Sequence, residues 1–362
     1  MLLFKCQNCR QVLYFENTNC VKCGFRVGYL PNLGQLSAVE PDGPNWSALA
    51  DKSRRYRFCE NWERHACNWM VDAQEDETLC LACQHNRTIP DISDPKNLKN
   101  WQKIEEAKRR LFYSLIKLQL PIPTAASGDP EPLAFDFLAD QQDGQEKVTT
   151  GHDNGLITIA LKEADDTVRE QMRASLGELY RTMLGHLRHE VGHYYWDKLV
   201  RDGGEQESFR QLFGDERNDY GQALQRHYDA GPPPNWQDSF VSSYATMHPW
   251  EDWAETWAHY MHIVDTLEMA SAFGITIAPH VADKDEDLET DVSFDMHRAL
   301  PMQQLIDEWL PLTYAVNSLN RSMGQPDLYP FVIPPPVVQK LSYIHQIIHK
   351  RPAPNTGELP AN

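Results

Sequence analysis

Two histidines one helical turn apart, with a glutamate beside the first, carry the clearest chemistry in this 362-residue sequence: His189-Glu190-Val191-Gly192-His193. Leu176, Tyr180, Met183, Leu187, Val191 and Tyr194 recur every three or four residues, so the stretch 176–199 reads as one amphipathic helix. On such a helix His189 and His193 share a face and can reach one metal ion. Glu190 lies about 100° further round, off the ligand stripe but within reach of a water on that ion. Two ligands plus a carboxylate that takes a proton from the attacking water is the division of labour a zinc-dependent peptidase needs. Gly185 and Gly192 interrupt the helix at a cost of about 1 kcal/mol each relative to Ala, which close approach of another backbone would explain. A surface helix with two solvated histidines would show the same string.

A catalytic zinc needs a third protein ligand and an open fourth position. A third histidine six residues after His193 is excluded, because that position is Leu199, and the glycine of that pattern is replaced by Trp196. The better source is His248-Pro249-Trp250-Glu251-Asp252-Trp253-Ala254-Glu255-Thr256-Trp257. Pro249 can open a helix that puts Glu251 and Glu255 one turn apart. Glu251 would ligate zinc, and Glu255 would accept the remaining N–H of a ligating histidine and fix its tautomer. Trp253 and Trp257 would form the buried side of that helix; on the blander reading the two carboxylates only line its surface. His248, His259 and His262 are rival ligands. His186 lies on the His189/His193 stripe and reads as a histidine satisfied by a neighbour. Asp197 and Asp219 could also reach a zinc-bound histidine, while Asp215, Glu216 and Arg217 read as a solvated patch.

All eight cysteines fall between Cys6 and Cys83. Cys6-Gln-Asn-Cys9 and Cys20-Val-Lys-Cys23-Gly24 are two knuckles at a separation that can place four thiolates around a structural Zn²⁺. Cys59, Cys67, Cys80 and Cys83 suggest a second four-cysteine site, with His65 or His85 as substitutes for one thiolate, and with exchange of knuckles between the clusters left open by spacing alone. A fold of about 30 residues draws much of its stability from such a metal.

The chain is long enough for a sizeable domain plus a small one. No apolar run reaches the roughly 20 residues a bilayer demands, and the start lacks the order of a signal peptide, so the expected location is cytoplasmic. The net charge of −18 argues against general nucleic-acid affinity. Residues 1–67 nevertheless carry three more basic than acidic side chains. Any nucleic-acid contact would therefore lie in residues 1–95, where Lys52, Arg54, Arg55 and Arg57 interleave with Tyr56 and Phe58 as possible stacking groups.

The elements that must position these groups follow from periodicity and punctuation. Asp94-Pro95 caps a helix that continues through Trp101, Ile104, Leu111, Leu115 and Leu118. Short strands are expected at 133–138 and 156–161. Helices are expected at 167–200, 208–228, 249–267, 301–319 and 337–349. The expected domains are a cysteine-rich zinc-ribbon region at 1–95, a metallopeptidase domain at 96–350 and a loose tail at 351–362.

The segment from His189 to Glu255 resembles the gluzincin metallopeptidases, and in its second half the catalytic domain of anthrax toxin lethal factor. Across nearly the whole chain the sequence is similar to a bacterial zinc-binding metallopeptidase family with an N-terminal zinc ribbon. The matching strings are His186-Leu-Arg-His189-Glu190-Val-Gly-His193-Tyr-Tyr-Trp196 and His248-Pro-Trp-Glu-Asp-Trp-Ala-Glu255-Thr-Trp. The resemblance implies an α+β, mainly helical zincin-like domain with a small sheet. It also implies one catalytic and two structural zinc ions, and a peptide or protein substrate. Ser243-Tyr244 stands seven residues before Glu251, which by resemblance gives Tyr244 the role of supporting the oxyanion. The 57 residues between His193 and Glu251 exceed the usual gluzincin spacing. The competing expectation is a non-catalytic adaptor whose ribbon binds protein or nucleic acid.

Overall fold

The computed structural model describes residues 3–140, 147–176, 181–280, 288–298 and 300–350. Tyr180, part of the expected helical stripe, and the tail from 351 lie outside them. The chain divides into two compact units, Met1–Asp166 and Thr167–Pro352.

In the first unit β1 (Phe4–Lys5) and β2 (Val12–Leu13) form a small antiparallel pair around the first knuckle. Five antiparallel strands follow in chain order: β3 (Arg26–Leu30), β4 (Gln35–Asp42), β5 (Asn45–Ala48), β6 (Asp51–Phe58) and β7 (Met70–Asp72). A parallel bridge between Tyr29 and Trp69 brings the first and last strands together. Leu30, Val39, Ala48, Tyr56 and Met70 form the enclosed core. At Gly28 a Cβ would lie only 2.4 Å from the Met70 sulfur, so the side chain is omitted where the sheet folds over. This sheet was not expected from the sequence, because its strands are short and its inward residues mix Leu, Ala, Val, Tyr and Met without clean alternation. It also withdraws the proposed stacking groups. Tyr56 is buried and hydrogen-bonds Asp51, and Phe58 stacks on Trp62, so the basic strand presents no free aromatic ladder.

After β8 (Asn86–Thr88), Asp94 accepts a hydrogen bond from the Lys96 amide and Pro95 opens α1 (Pro95–Lys117), as the Asp-Pro pair predicts. Its inward face carries Trp101, Ile104, Leu111 and Leu115, and Tyr113 packs edge-on to Phe15 of the cysteine-rich region at 5.5 Å. The first compact unit continues past residue 95. β9 (Ala134–Leu138), β10 (Gly151–Asp153) and β11 (Leu156–Ala160) join β8 in a sheet of order β10-β11-β9-β8, parallel except for β10.

The expected helix at 167–200 is interrupted. α2 (Asp166–Leu176) precedes a non-helical Arg181–Thr182, and α3 (Met183–Tyr195) starts afresh because Thr182 caps it, accepting from the Gly185 amide at 3.0 Å. α3 runs on as a π-helical turn, Trp196–Arg201. The expected helix at 208–228 is likewise two, α4 (Gln206–Phe213) and α5 (Tyr220–Ala230), parted at Gly214 with φ 99°. α6 (Pro249–Phe273) begins at the predicted proline, with the His248 side chain accepting from the Trp250 amide. β12 (Thr276–Ile277) pairs with β13 (Thr290–Asp291), and α7 (Met302–Ser322) and α8 (Pro335–His349) complete the unit.

α3 and α6 form the centre of this unit. A Cβ on Gly192 would stand 3.1 Å from Ala254 Cα and 3.3 Å from Trp257 Cβ, so the glycine lets the two helices approach closely. Trp253 Nε1 donates to the Gly192 carbonyl at 2.8 Å, and Tyr195 stacks on Trp257. No described helix is long and apolar enough to cross a membrane.

Candidate metal centres

The four sulfurs of Cys6, Cys9, Cys20 and Cys23 lie within 4.8 Å of one another, and so do those of Cys59, Cys67, Cys80 and Cys83. All eight cysteines are free thiols. Closest approaches are 3.5 Å (Cys9–Cys20) and 3.6 Å (Cys6–Cys23 and Cys67–Cys80). Tetrahedral zinc–thiolate geometry demands S···S of about 3.8 Å, whereas a disulfide would need about 2.05 Å. The donor sets thus fit zinc. Both N-terminal knuckles turn alike: Arg10 (φ 64°) and Gly24 (φ 75°) follow them in the left-handed region, and their amides donate back to the Cys6 and Cys20 carbonyls. Hydrogen bonds from Asn8 and the Phe25 amide lower the Cys23 thiol to about 6. At the second site amides of Trp69 and Cys80 donate to the sulfurs of Cys67 and Cys59 at 3.4 Å. Neither histidine substitutes there. His85 holds the Leu133 carbonyl through Nδ1, and His65 is exposed. The sulfurs group by cluster, with no exchange of knuckles.

The third convergence is His189, His193 and Glu251, all buried, with ligand atoms within 4.8 Å. The two Nε2 atoms stand 3.2 Å apart, and Glu251 Oε2 lies 3.0 Å from His189 Nε2. Glu251 Oε2 makes no hydrogen bond. Donor atoms at about 2.0–2.1 Å from a tetrahedral zinc sit about 3.3 Å apart, so this spacing also fits. Burial alone would raise the Glu251 carboxyl, yet the two imidazoles hold it well below the usual range.

The surrounding groups sort by what they touch. Glu255 Oε1 accepts from His189 Nδ1 at 2.7 Å, and its Oε2 from Ser242 Oγ at 2.7 Å. Glu190 is absent from the ligand set. Its Oε1 lies 3.1 Å from His186 Nε2, which with the neighbouring histidines outweighs burial and keeps Glu190 ionised. His186 is thereby occupied. The Tyr244 ring sits 6.1 Å from that of His189, and burial together with the Glu251 charge pushes its phenol far above the ordinary value, so it remains a hydrogen-bond donor. Trp250 packs on His193 with centroids 4.0 Å apart.

The rival ligands are engaged elsewhere. His248 Nε2 bonds the Asn218 carbonyl, His259 bonds Tyr329, and His262 bonds Arg188. Asp197 pairs with Arg201, and Asp219 caps α5. One neighbour had no signal in the sequence beyond its place after a capping aspartate: the Tyr220 hydroxyl donates to Glu251 Oε1 at 2.9 Å.

The family described as "Putative zinc-binding metallo-peptidase" matches residues 97–347, and a zinc-ribbon domain family matches residues 3–94. Uncharacterized proteins of Mycobacterium tuberculosis and Mycobacterium bovis are each 43% identical over 346 residues, covering 95% of this chain and 94% of their own. No solved structure matches the chain.

Proposed function

The chain belongs to this zinc-binding metallopeptidase family with an N-terminal zinc ribbon, and from that premise we propose that it is a peptidase with a gluzincin-type centre. His189, His193 and Glu251 would hold the catalytic zinc. The observation that carries the reading is the buried Glu251 carboxylate set against both imidazoles, Oε2 3.0 Å from His189 Nε2 without a hydrogen bond and Oε1 3.5 Å from His193 Nε2. Zinc bound there would act as a Lewis acid and lower the pKa of water. Glu190, ionised and off the ligand stripe, would take the proton of the attacking water and pass it to the leaving amine. The Tyr244 hydroxyl would donate to the oxyanion. Glu255, itself held by Ser242, would keep the His189 ring turned so that Nε2 faces the ion. The two cysteine sites would be structural, and the substrate a peptide or protein. Location in the cytoplasm is part of the same proposal.

Zinc-loaded protein assayed on a varied peptide mixture against Glu190→Gln tests this. The variant should lose about 10²–10⁴-fold in rate, and equal cleavage by both proteins would overturn the mechanism. The adaptor reading has less support, since a purely structural site requires neither an ionised Glu190 nor a buried, protonated Tyr244 beside it.

A further inference from the structure

The two oxygens of Glu251 have different surroundings. Oε2 makes no hydrogen bond and lies 3.0 Å from His189 Nε2, whereas Oε1, 3.5 Å from His193 Nε2, accepts from the Tyr220 phenol at 2.9 Å. Tyr220 is the first residue of α5, set by the Asp219 cap, with its ring edge-on to His248 at 5.3 Å and to Trp250 at 6.3 Å. The rest of α5 is held by little. Ala223 is its only buried residue, and the segment runs between Gly214 and Gly231, with φ 99° and 71°. Its second inward contact is His227, edge-on to Tyr244 at 6.0 Å. α5 thus reaches the centre through two side chains, one of them on a ligand.

A carboxylate that ligates through one oxygen stays in place only if its other oxygen is held, because rotation about the side chain otherwise swaps or shares the two. We propose that Tyr220 is the positioning residue of this centre, its phenol holding Oε1 of Glu251 by a hydrogen bond and leaving Oε2 for the metal. The assignment rests on the zinc-centre reading above. Phenylalanine would fill the same space without the hydroxyl.

The test is competitive zinc titration of the full chain, with metal counted in the wild type, Tyr220→Phe and Tyr228→Phe. Tyr228 is an exposed residue on the same helix and serves as the control. Tyr220→Phe should weaken the labile zinc about 10–100-fold, with the two cysteine-bound zincs retained and thermal unfolding unchanged, while Tyr228→Phe behaves as wild type. If wild type holds three zincs and Tyr220→Phe binds the labile one within about twofold of it, the clamp is refuted and the peptidase reading stands. If wild type holds only the two cysteine-bound zincs, the centre itself is refuted, and the clamp with it.

Discussion

Replacing Lys340 by methionine removes the counter-charge of a buried carboxylate at the heart of the helical unit. Lys340 Nζ donates to Asp252 Oδ2 at 2.6 Å and to the Ser239 carbonyl at 2.8 Å, and lies 4.2 Å over the Phe240 ring. The Lys340 and Asp252 side chains are 6% and 0% exposed, so solvent screens this pair little. Burial already pushes the Asp252 carboxyl up to about 7 against the pull of Lys340. Breaking a pair of this kind from one side costs about 3–5 kcal/mol, because the carboxyl left behind must either stay charged and unpaired or take up a proton to neutralise. For a unit of this size each kcal/mol moves Tm by roughly 2–4 °C, so Lys340→Met should melt roughly 6–20 °C below wild type. Urea unfolding of the zinc-loaded protein at pH 7.5 measures the free energy directly. The double variant Asp252→Asn/Lys340→Met should recover at least about half of the loss, since an amide needs neither a counter-charge nor an added proton. A single variant within about 1 kcal/mol of wild type, or a double variant no better than the single, would refute the argument.

Glu255→Ala should weaken the labile zinc about 10–100-fold, or about 1.4–2.7 kcal/mol, by freeing the His189 ring that Glu255 holds at 2.7 Å. Zinc competition checks it, and unchanged affinity would show that the ring is oriented by packing alone. His345 is buried against Tyr260, and burial first, with His349 nearby, lowers it to about 4. The unfolded chain therefore binds a proton that the folded one refuses, and stability should fall as pH drops from about 6.5 toward 4. His345→Gln should flatten the Tm profile in that window, and a parallel profile would discount the residue.

What the sequence determined by itself is what local geometry dictates. A helix repeats every 3.6 residues, so His189 and His193 share a face and Glu190 leaves it, whatever else the chain does. The Cys-x-x-Cys knuckles are legible for the same reason, as are the helix starts at Asp94-Pro95 and His248-Pro249, where a side-chain cap and a proline act within one turn. Local rules also mislead where a cap or glycine breaks a continuous pattern, as at Thr182 and Gly214. The short mixed strands β3–β7 escaped because each makes sense only beside its neighbours. Glu251 was nameable as a ligand, but only packing brings it within 3.0 Å of His189 across 61 intervening residues. That approach depends on α6 seating its backbone against Gly192, where no Cβ stands in the way. Tyr220 was invisible for the same reason: a phenol reaching a carboxylate 31 positions away is set by where α5 lies, and no spacing rule encodes it.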